Sequence, residues 1–438
     1  MNIIRSFTIE GLWGVAPVIN IDLDDQFNFI IGRNGTGKTT VINLLAAVLV
    51  VDYERLDRIE FSKVKIVFKQ VGKKKSPSLE VKKTSHDSTP FSKIVYSLKA
   101  SSKEPSVIYD IDNPEHEKKY WGTPSRIMAR YFREHYADIR NDLREMINVS
   151  WLSVHRTSEE SWSSNEERKF GPAIDQKLKD LNNSLVRYFS TLTKKYADHT
   201  LEFQKKSFLS VLTPERASSV FSFAATLDLD KEKATLGEIF QVLGVEHKNY
   251  NHKLRVHFEK LTKTIDATSG NQGGISVNDF ATLYNAWQAH SLVNDYEELQ
   301  SKKTEIFKPK DTFIKLMNML FEGRKRISVS EKNEITFSTD ISFSNGNRIQ
   351  QKDVPLEELS SGEKQLLIIL GEALLQQSTP SIYIADEPEL SLHVYWQEQI
   401  TSAISQLNSN AQIVFATHSP DIVGQHNDKI INMEEILL

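Results

Sequence analysis

Three short stretches carry residue types at spacings that chemistry requires. The first, Gly32-Arg33-Asn34-Gly35-Thr36-Gly37-Lys38-Thr39, fits the spacing G-x-x-x-x-G-K-[ST]. An apolar run, Phe27–Ile31, precedes it, and a helical run, Thr39–Val51, follows. In that context glycines let backbone N–H groups close around phosphate oxygens with no Cβ in the way. The positive end of the following helix adds attraction for an anion. Asn34, Gly35, Thr36, Gly37, Lys38, Thr39 and Thr40 are therefore candidate contacts to a nucleotide, ATP. Lys38 would reach the β- and γ-phosphates and the Thr39 hydroxyl would ligate Mg2+. A glycine-rich turn that matches by chance is the plainer alternative, and the strand and helix in register weigh against it.

The second stretch, Ser381 to Pro388, is an apolar strand ending in Asp386 and Glu387. Carboxylates at a strand's C-terminal end sit where open α/β sheets bind ligands. Asp386 could hold Mg2+ through water, and Glu387 could act as general base on an attacking water. The third stretch is Leu359-Ser360-Ser361-Gly362-Glu363-Lys364-Gln365, ahead of an apolar helix over Leu366–Leu375. Ser360 and Glu363 have capping-box spacing, which alone says that a helix starts there. A Ser-Ser-Gly start also exposes hydroxyl and N–H donors suited to a γ-phosphate.

The elements around these stretches fall into three blocks. Residues 1–123 read as strands punctuated by the helix after the loop. Period-two runs at Lys63–Phe68, Leu79–Lys83, Ile94–Leu98 and Val107–Ile111 predict an antiparallel meander. Residues 124–323 turn helical, with Ile127, Tyr131 and Phe132, then Ile139, Leu143 and Ile147, then Leu178, Leu181, Leu185 and Phe189 at helical spacing. The apolar Val149–Val154 with His155-Arg156 marks a brief return to the first block near 149–156. Because heptads are neither long nor strict, the block predicts a helical subdomain or short hairpin, not a long coiled coil. Residues 324–438 return to α/β, with strands expected at Ile335–Phe343, Ser381–Ala385, Gln412–Ala416 and Lys429–Met433. A helical block inserted into a split α/β domain is the simplest arrangement.

Composition removes several classes. The 438 residues contain no cysteine, which excludes disulfides, zinc ribbons, iron–sulfur clusters and thiol nucleophiles. The longest apolar run, Leu44 to Val51, is far short of the ~18 residues of a spanning helix. With no signal-like start, the expectation is a cytoplasmic protein without a membrane segment. Net charge is −4, yet residues 63–99 hold ten lysines against Glu80 and Asp87, a local +8. Lys73-Lys74-Lys75 and Lys82-Lys83 in this Lys63–Lys99 region could meet DNA phosphates; lysines on exposed edge strands also simply block aggregation.

LSSGEKQ resembles the signature motif of ABC-type ATPases, and it stands ahead of ADEP, which resembles their Walker B strand end. Thr417-His418-Ser419-Pro420 resembles their His switch. The block ADEPELSLHVYWQ with IVFATHSP is similar to the SMC/RecF/OLD-like branch, specifically the AAA ATPases of ABC fold in bacterial anti-phage defence such as the ATPase subunits of PARIS and Septu. The likeness covers about 30 residues at the start and about 80 at the end. Val394 departs from the pattern, since many relatives have Pro there.

The resemblance implies an α/β P-loop NTPase of ABC-ATPase type with an antiparallel β subdomain and an inserted helical subdomain. It implies that Glu387 serves as base, that His418 senses the γ-phosphate, and that Thr39 and Asp386 serve Mg2+. It also implies that Ser360, Ser361, Gly362 and Glu363 face the nucleotide of a second copy in a head-to-head dimer or higher homo-oligomer. Such heads use a Gln at a strand end near Mg2+. Gln70 fits by position, or is a solvated loop residue. Trp13 could pack near the base, a core role being the alternative, and His393 could couple two sites or simply serve the fold.

With 18 residues after Pro420, no complete OLD-type nuclease domain is expected, so a separately encoded effector, a nuclease, is the expected partner. The leading expectation is an ATPase sensor or scaffold that controls that effector in anti-phage defence. The alternative is an SMC/RecF-like DNA-binding ATPase of repair or recombination. A transporter's nucleotide-binding subunit fits less well, since those heads are compact.

Overall fold

The helix after the glycine-rich loop, Lys38–Val50 (α1), is apolar on every face, and a helix of that kind needs cover on every side. The computed structural model supplies it. The model describes residues 2–15, 17–70, 72, 75–85, 92–101, 104–111, 137–153, 173–210, 227–269, 276–323, 325–342, 349–377 and 379–437. Ile127, Tyr131, Phe132, His155, Arg156, Lys73, Lys74 and Asp87 lie outside them.

Two sheets cover α1. One is antiparallel, in the order β2-β1-β4-β5-β6-β7. Its strands are β1 (Asn2–Glu10), β2 (Ile19–Asp22), β4 (Lys63–Gln70), β5 (Ser78–Ser85), β6 (Ser92–Lys99) and β7 (Val107–Asp110). Along β4, Val64, Ile66 and Phe68 face the core while Lys63, Lys65, Val67 and Lys69 alternate with them on the other face, as the period of two requires. The Tyr96 hydroxyl of β6 donates to the Val48 carbonyl of α1 at 3.2 Å.

The other sheet is parallel, in the order β14-β3-β13-β12-β8. It comprises β3 (Phe27–Ile31), β8 (Val149–Ser153), β12 (Ser381–Asp386), β13 (Ala411–Ala416) and β14 (Ile430–Asn432). Its central strands are continuous apolar runs, the composition expected when both faces are covered. Ile382 and Ile384 are fully buried, each stabilising by about 1.5–3 kcal/mol relative to exposure. The register sets Asp386 opposite Ala416 on one side and Ser153 on the other. The segment near 149–156 thus reaches the described structure as the edge strand of this sheet.

A third sheet is antiparallel, in the order β11-β10-β9: β9 (Arg326–Val329), β10 (Ile335–Ser342) and β11 (Ile349–Val354). Only β10 was legible in sequence, because β9 is four residues long and β11, IQQKDV, lacks apolar alternation.

Among the described residues, the α-helices that follow α1 in chain order are α2 (Tyr53–Arg58), α3 (Ala137–Met146), α4 (Ala173–Ser210), α5 (Leu229–Val242), α6 (His247–Ser269), α7 (Val277–Leu320), α8 (Ser361–Leu375), α9 (Val394–Leu407), α10 (Pro420–Val423) and α11 (Met433–Leu437). The chain divides into a unit of residues 1–187 with 309–438 and a unit of residues 188–308. These limits differ from the sequence boundaries at 124 and 323, and fall inside α4 and α7. Side chains explain the shift. At the start of α4, Asp175 pairs with Lys364 of α8 at 2.7 Å, and Leu181 packs on Gly371. At the end of α7, the Leu320 carbonyl accepts from the Trp396 indole at 2.7 Å. The second limit coincides with Pro309, where the helix lacks a backbone donor.

At 38 and 44 residues, α4 and α7 are longer than a short hairpin, one of the two arrangements expected. Within the second unit, Phe203 of α4 meets Tyr296 of α7, and Leu236, Ile239, Leu254 and Leu261 of α5 and α6 complete one core.

Candidate active site

The glycine-rich loop turns through Gly35 and Gly37 at φ 87° and 82°, a left-handed backbone that side chains disfavour. Gly37 is constrained twice, because a Cβ there would lie 2.3 Å from the Trp13 ring. Trp13 is therefore no core residue. It stands 38% exposed in a turn, at φ 56°, with its ring edge against the loop.

Lys38, at the first turn of α1, is 5% exposed, and its ammonium donates to the carbonyls of Gly32 at 2.8 Å and Arg33 at 3.1 Å. Burial pushes this ammonium below the ordinary lysine range, while the carboxylates of Glu387, Asp386, Glu389 and Glu434 pull it back up. Glu434 of α11 also accepts from the Arg33 N–H at 3.0 Å. Asn34 and Gly35 are exposed at the loop's crest, Thr36 bonds back to the Arg33 carbonyl, and Thr40 is half-buried in the first turn of α1. The Thr39 hydroxyl donates to Asp386 Oδ1 at 3.2 Å.

One residue beyond Asp386, Glu387 takes φ 49°, and its N–H donates to the Ala416 carbonyl at 2.8 Å. Left-handed non-glycine residues cost of order 1–3 kcal/mol and gather at functional sites. Trp13, Glu387 and Ser391 are three of them here. His418 Nε2 lies 4.0 Å from Glu387 Oε1, both side chains partly exposed. The loop, the two acids and His418 thus converge at the C-terminal edge of the parallel sheet.

The family described as an AAA ATPase domain matches residues 3–423. The chain belongs to that family. Among solved structures it is similar to the Smc head domain of Pyrococcus furiosus, with an extended coiled coil and bound to the C-terminal domain of ScpA. That pair is 13% identical at TM-score 0.42, covering 99% of this chain and 93% of the other. The Smc head of Pyrococcus yayanosii with a coiled coil and joint is 14% identical at TM-score 0.40, covering 99% and 95%. The SMC head domain from Thermotoga maritima is 12% identical at 0.38, covering 98% and 94%. No curated protein matches the chain.

The donor set of this AAA ATPase suits Mg2+. A hydroxyl and a carboxylate already meet at Thr39 and Asp386, and Mg2+ characteristically takes one or two carboxylates with the rest from phosphate and water. Four carboxylates stand around Lys38, of which Glu434 also pairs with Arg33, and the remaining excess leaves negative charge for a cation to balance. Among the described residues no helix is long and apolar enough to cross a membrane.

At the start of α8 the ATPase splits the four signature positions. Ser360 and Ser361 are exposed. Ser360 caps the helix and Glu363 closes the box, donor to acceptor 3.3 Å one way and 2.7 Å the other. Glu363 also pairs with Lys325 at 2.7 Å. Burial alone would raise the Glu363 carboxyl, but the Lys325 ammonium and the Ser360 hydrogen bonds together hold it below the ordinary range. Gly362 is buried, and a Cβ there would lie 2.2 Å from the Ser391 carbonyl. The Glu363 side chain and the Gly362 backbone are thus engaged within their own chain, which leaves the two serines facing outward.

Gln70 is a correction. It ends β4 opposite Asn2, whereas the Trp13 turn sits at the other end of that strand, where Glu10 pairs with Lys63 and Trp13 N–H donates to the Glu60 carbonyl. Seven residues of strand separate the two ends by roughly 23 Å. Close to Gln70, Ile4 exchanges hydrogen bonds with Gln412 at the start of β13, the sheet edge remote from Ala416. The strand end beside Asp386 is Ser153 of β8.

The lysine-rich strands are also less positive than their sequence. Lys63 pairs with Glu10 and Glu80, Lys69 with Asp25, Lys75 with Glu104, Lys82 with Glu80 and Lys93 with Asp110. Four of those acids lie outside residues 63–99. Lys83 points to the core face, where its ammonium caps the carbonyls of Leu56, Asp57 and Ile59 at the end of α2. His393 caps α9, its Nδ1 accepting from the Tyr395 N–H at 3.3 Å.

The residue that sequence reasoning missed is Glu389. Its Oε1 accepts from Thr417 Oγ1 at 2.8 Å, His418 N at 2.7 Å and Ser419 N at 3.2 Å. The one available signal was the acid repeat Glu387-Pro388-Glu389, which reads equally as a charged turn.

Proposed function

We propose that this ATPase hydrolyses ATP with Glu387 as general base and passes its nucleotide state to a partner. The convergence of Lys38, Thr39, Asp386, Glu387 and His418 at one sheet edge carries the proposal. Lys38 would neutralise the β- and γ-phosphates, and the loop N–H groups would hold them. Thr39 and Asp386 would hold Mg2+, which supplies charge neutralisation at the phosphates. Glu387 takes the proton of the water whose oxygen bonds to the γ-phosphorus, and the bond to the β-phosphate oxygen breaks to leave ADP and phosphate. His418 donates toward the γ-phosphate oxygens.

A second copy would complete the site through Ser360 and Ser361, whose exposure at the positive end of α8 supports that role. ATP bound between copies then favours assembly, and hydrolysis favours release. A separately encoded effector, a nuclease of anti-phage defence, would read that state in the cytoplasm, on the strength of the resemblance of ADEPELSLHVYWQ and IVFATHSP. The DNA-clamping alternative is weakened by the ion pairs that offset part of the charge of the lysine strands.

The test is a pair of variants. Glu387→Gln should bind ATP, turn it over at least about a hundredfold more slowly, and elute as an ATP-dependent dimer. Lys38→Ala should bind no ATP. Normal turnover by Glu387→Gln refutes the assignment of the base.

A further inference from the structure

Glu389 ties two loops of the site together through its side chain. It stands two residues beyond Glu387 in one tight turn, in which the Leu390 N–H donates to the Glu387 carbonyl at 3.1 Å. All three donors from Thr417, His418 and Ser419 converge on its Oε1, while Oε2 is buried without a hydrogen-bond partner among the described residues. A carboxylate oxygen that takes two successive backbone N–H groups and a hydroxyl fixes the peptide planes that carry them. Here those planes flank the His418 side chain. A second tie runs parallel to the first. Gln397 of α9 donates to the Glu389 carbonyl at 3.4 Å and accepts from the Ser419 hydroxyl at 2.6 Å. Gln365 of α8 donates to the Pro388 carbonyl at 2.9 Å, so the same turn is fastened to the helix that begins with Ser360 and Ser361.

We infer that Glu389 is a positioning residue that sets His418 against Glu387, by clamping the Thr417–Ser419 loop to the turn that carries the base. This rests on the roles given above to Glu387 and His418. The physical logic is orientation. Glu387 and His418 stand 4.0 Å apart on two strand ends, and the backbone pairing of those strands ends with the Glu387 N–H on the Ala416 carbonyl. Beyond that point Glu389 ties one loop to the other through a side chain. A misplacement near 1 Å at such a pair can slow catalysis about a hundredfold without touching substrate affinity. The hydrogen bonds of Lys38 and Thr39 do not pass through Glu389, which acts on Lys38 only through its charge, so the larger effect of its loss should fall on turnover and not on nucleotide binding.

The experiment is a double-mutant cycle on the full chain. Single-turnover hydrolysis and ATP affinity are measured for wild type, Glu389→Ala, His418→Ala and the double variant. Glu389→Ala should hydrolyse about ten- to a hundredfold more slowly, with ATP affinity changed by less than about threefold. In the His418→Ala background the same change should cost little further, because the group it positions is gone. Equal losses in both backgrounds, or wild-type turnover by Glu389→Ala, overturn the inference. Where Glu389→Ala does not fold, Thr417→Val removes one of the three donors and should give a smaller loss with the same dependence on His418. Where His418→Ala is too slow to measure, the histidine NMR resonance that it abolishes must shift in Glu389→Ala or Thr417→Val, and an unmoved resonance overturns the inference. Glu387→Gln, run alongside, separates the two failures. Normal turnover there removes the proposed base, whereas a dead Glu387→Gln with an additive cycle removes only the clamp.

Discussion

The Thr39 hydroxyl donates to Asp386 Oδ1 across 3.2 Å, although the two residues are 347 positions apart in the chain. Helix α1 sets the first and strand β12 the second, and the apolar packing of α1 on that sheet brings them together.

That contact predicts a divalent-ion defect. Asp386→Asn should bind ATP without Mg2+ about as well as wild type, yet lose at least about a hundredfold in Mg2+-dependent hydrolysis. Titration of Mg2+ at saturating ATP reads it out, and an unchanged Mg2+ requirement would remove Asp386 from the metal.

Gly37→Ala should abolish tight nucleotide binding. The new Cβ meets the Trp13 ring at 2.3 Å, and φ 82° adds about 1–2 kcal/mol of backbone strain. Adding Trp13→Ala removes the collision but not the strain, so the double variant should recover only part of the affinity in a calorimetric titration. Full recovery would mean that the backbone conformation costs nothing.

Gly362→Ala meets backbone instead of a ring. Its Cβ would sit 2.2 Å from the Ser391 carbonyl, so α8 must shift away from the turn that follows Glu387. A loss of about 1–3 kcal/mol in stability is expected, with slower hydrolysis at unchanged ATP affinity. Thermal unfolding and turnover measured on one preparation decide it, and a variant with wild-type values in both would show that this contact is slack.

The Glu363–Lys325 pair predicts an acid-side stability effect. The folded Glu363 carboxyl lies below its ordinary 4.5: burial, the largest single effect, raises it, but the Lys325 ammonium and the Ser360 hydrogen bonds together outweigh that cost. A depressed folded value means the stabilisation is complete above the unfolded value and is lost as pH falls through the folded one. Wild type should therefore lose stability more steeply than Lys325→Met below pH 4.5, the two curves converging in strong acid. Parallel unfolding midpoints across that range would show that the pair contributes nothing.

What could be read from sequence was chemistry confined to one continuous stretch. The spacing from Gly32 to Thr39, the acids that end Ser381–Asp386 and the capping pair Ser360–Glu363 each act within one turn or one strand. Local backbone geometry is dictated by local residue types, so these stood out. The period-two lysine strands also fell where their alternation placed them. Everything that hinged on a distant partner had to wait for the fold. Ten lysines counted as +8 in sequence, but acids brought beside them from residues 10, 25, 104 and 110 cancel much of that charge. Gln70 matched a strand end, and only the pairing of β4 with β1 decided which end of the domain it occupies. Trp13 on Gly37 and Glu389 on the Thr417–Ser419 loop carry no spacing signal at all, because nothing in the one-dimensional order links them. Sequence determined which groups this ATPase has for binding phosphate; the packing of α1 against the sheet decided which of them meet.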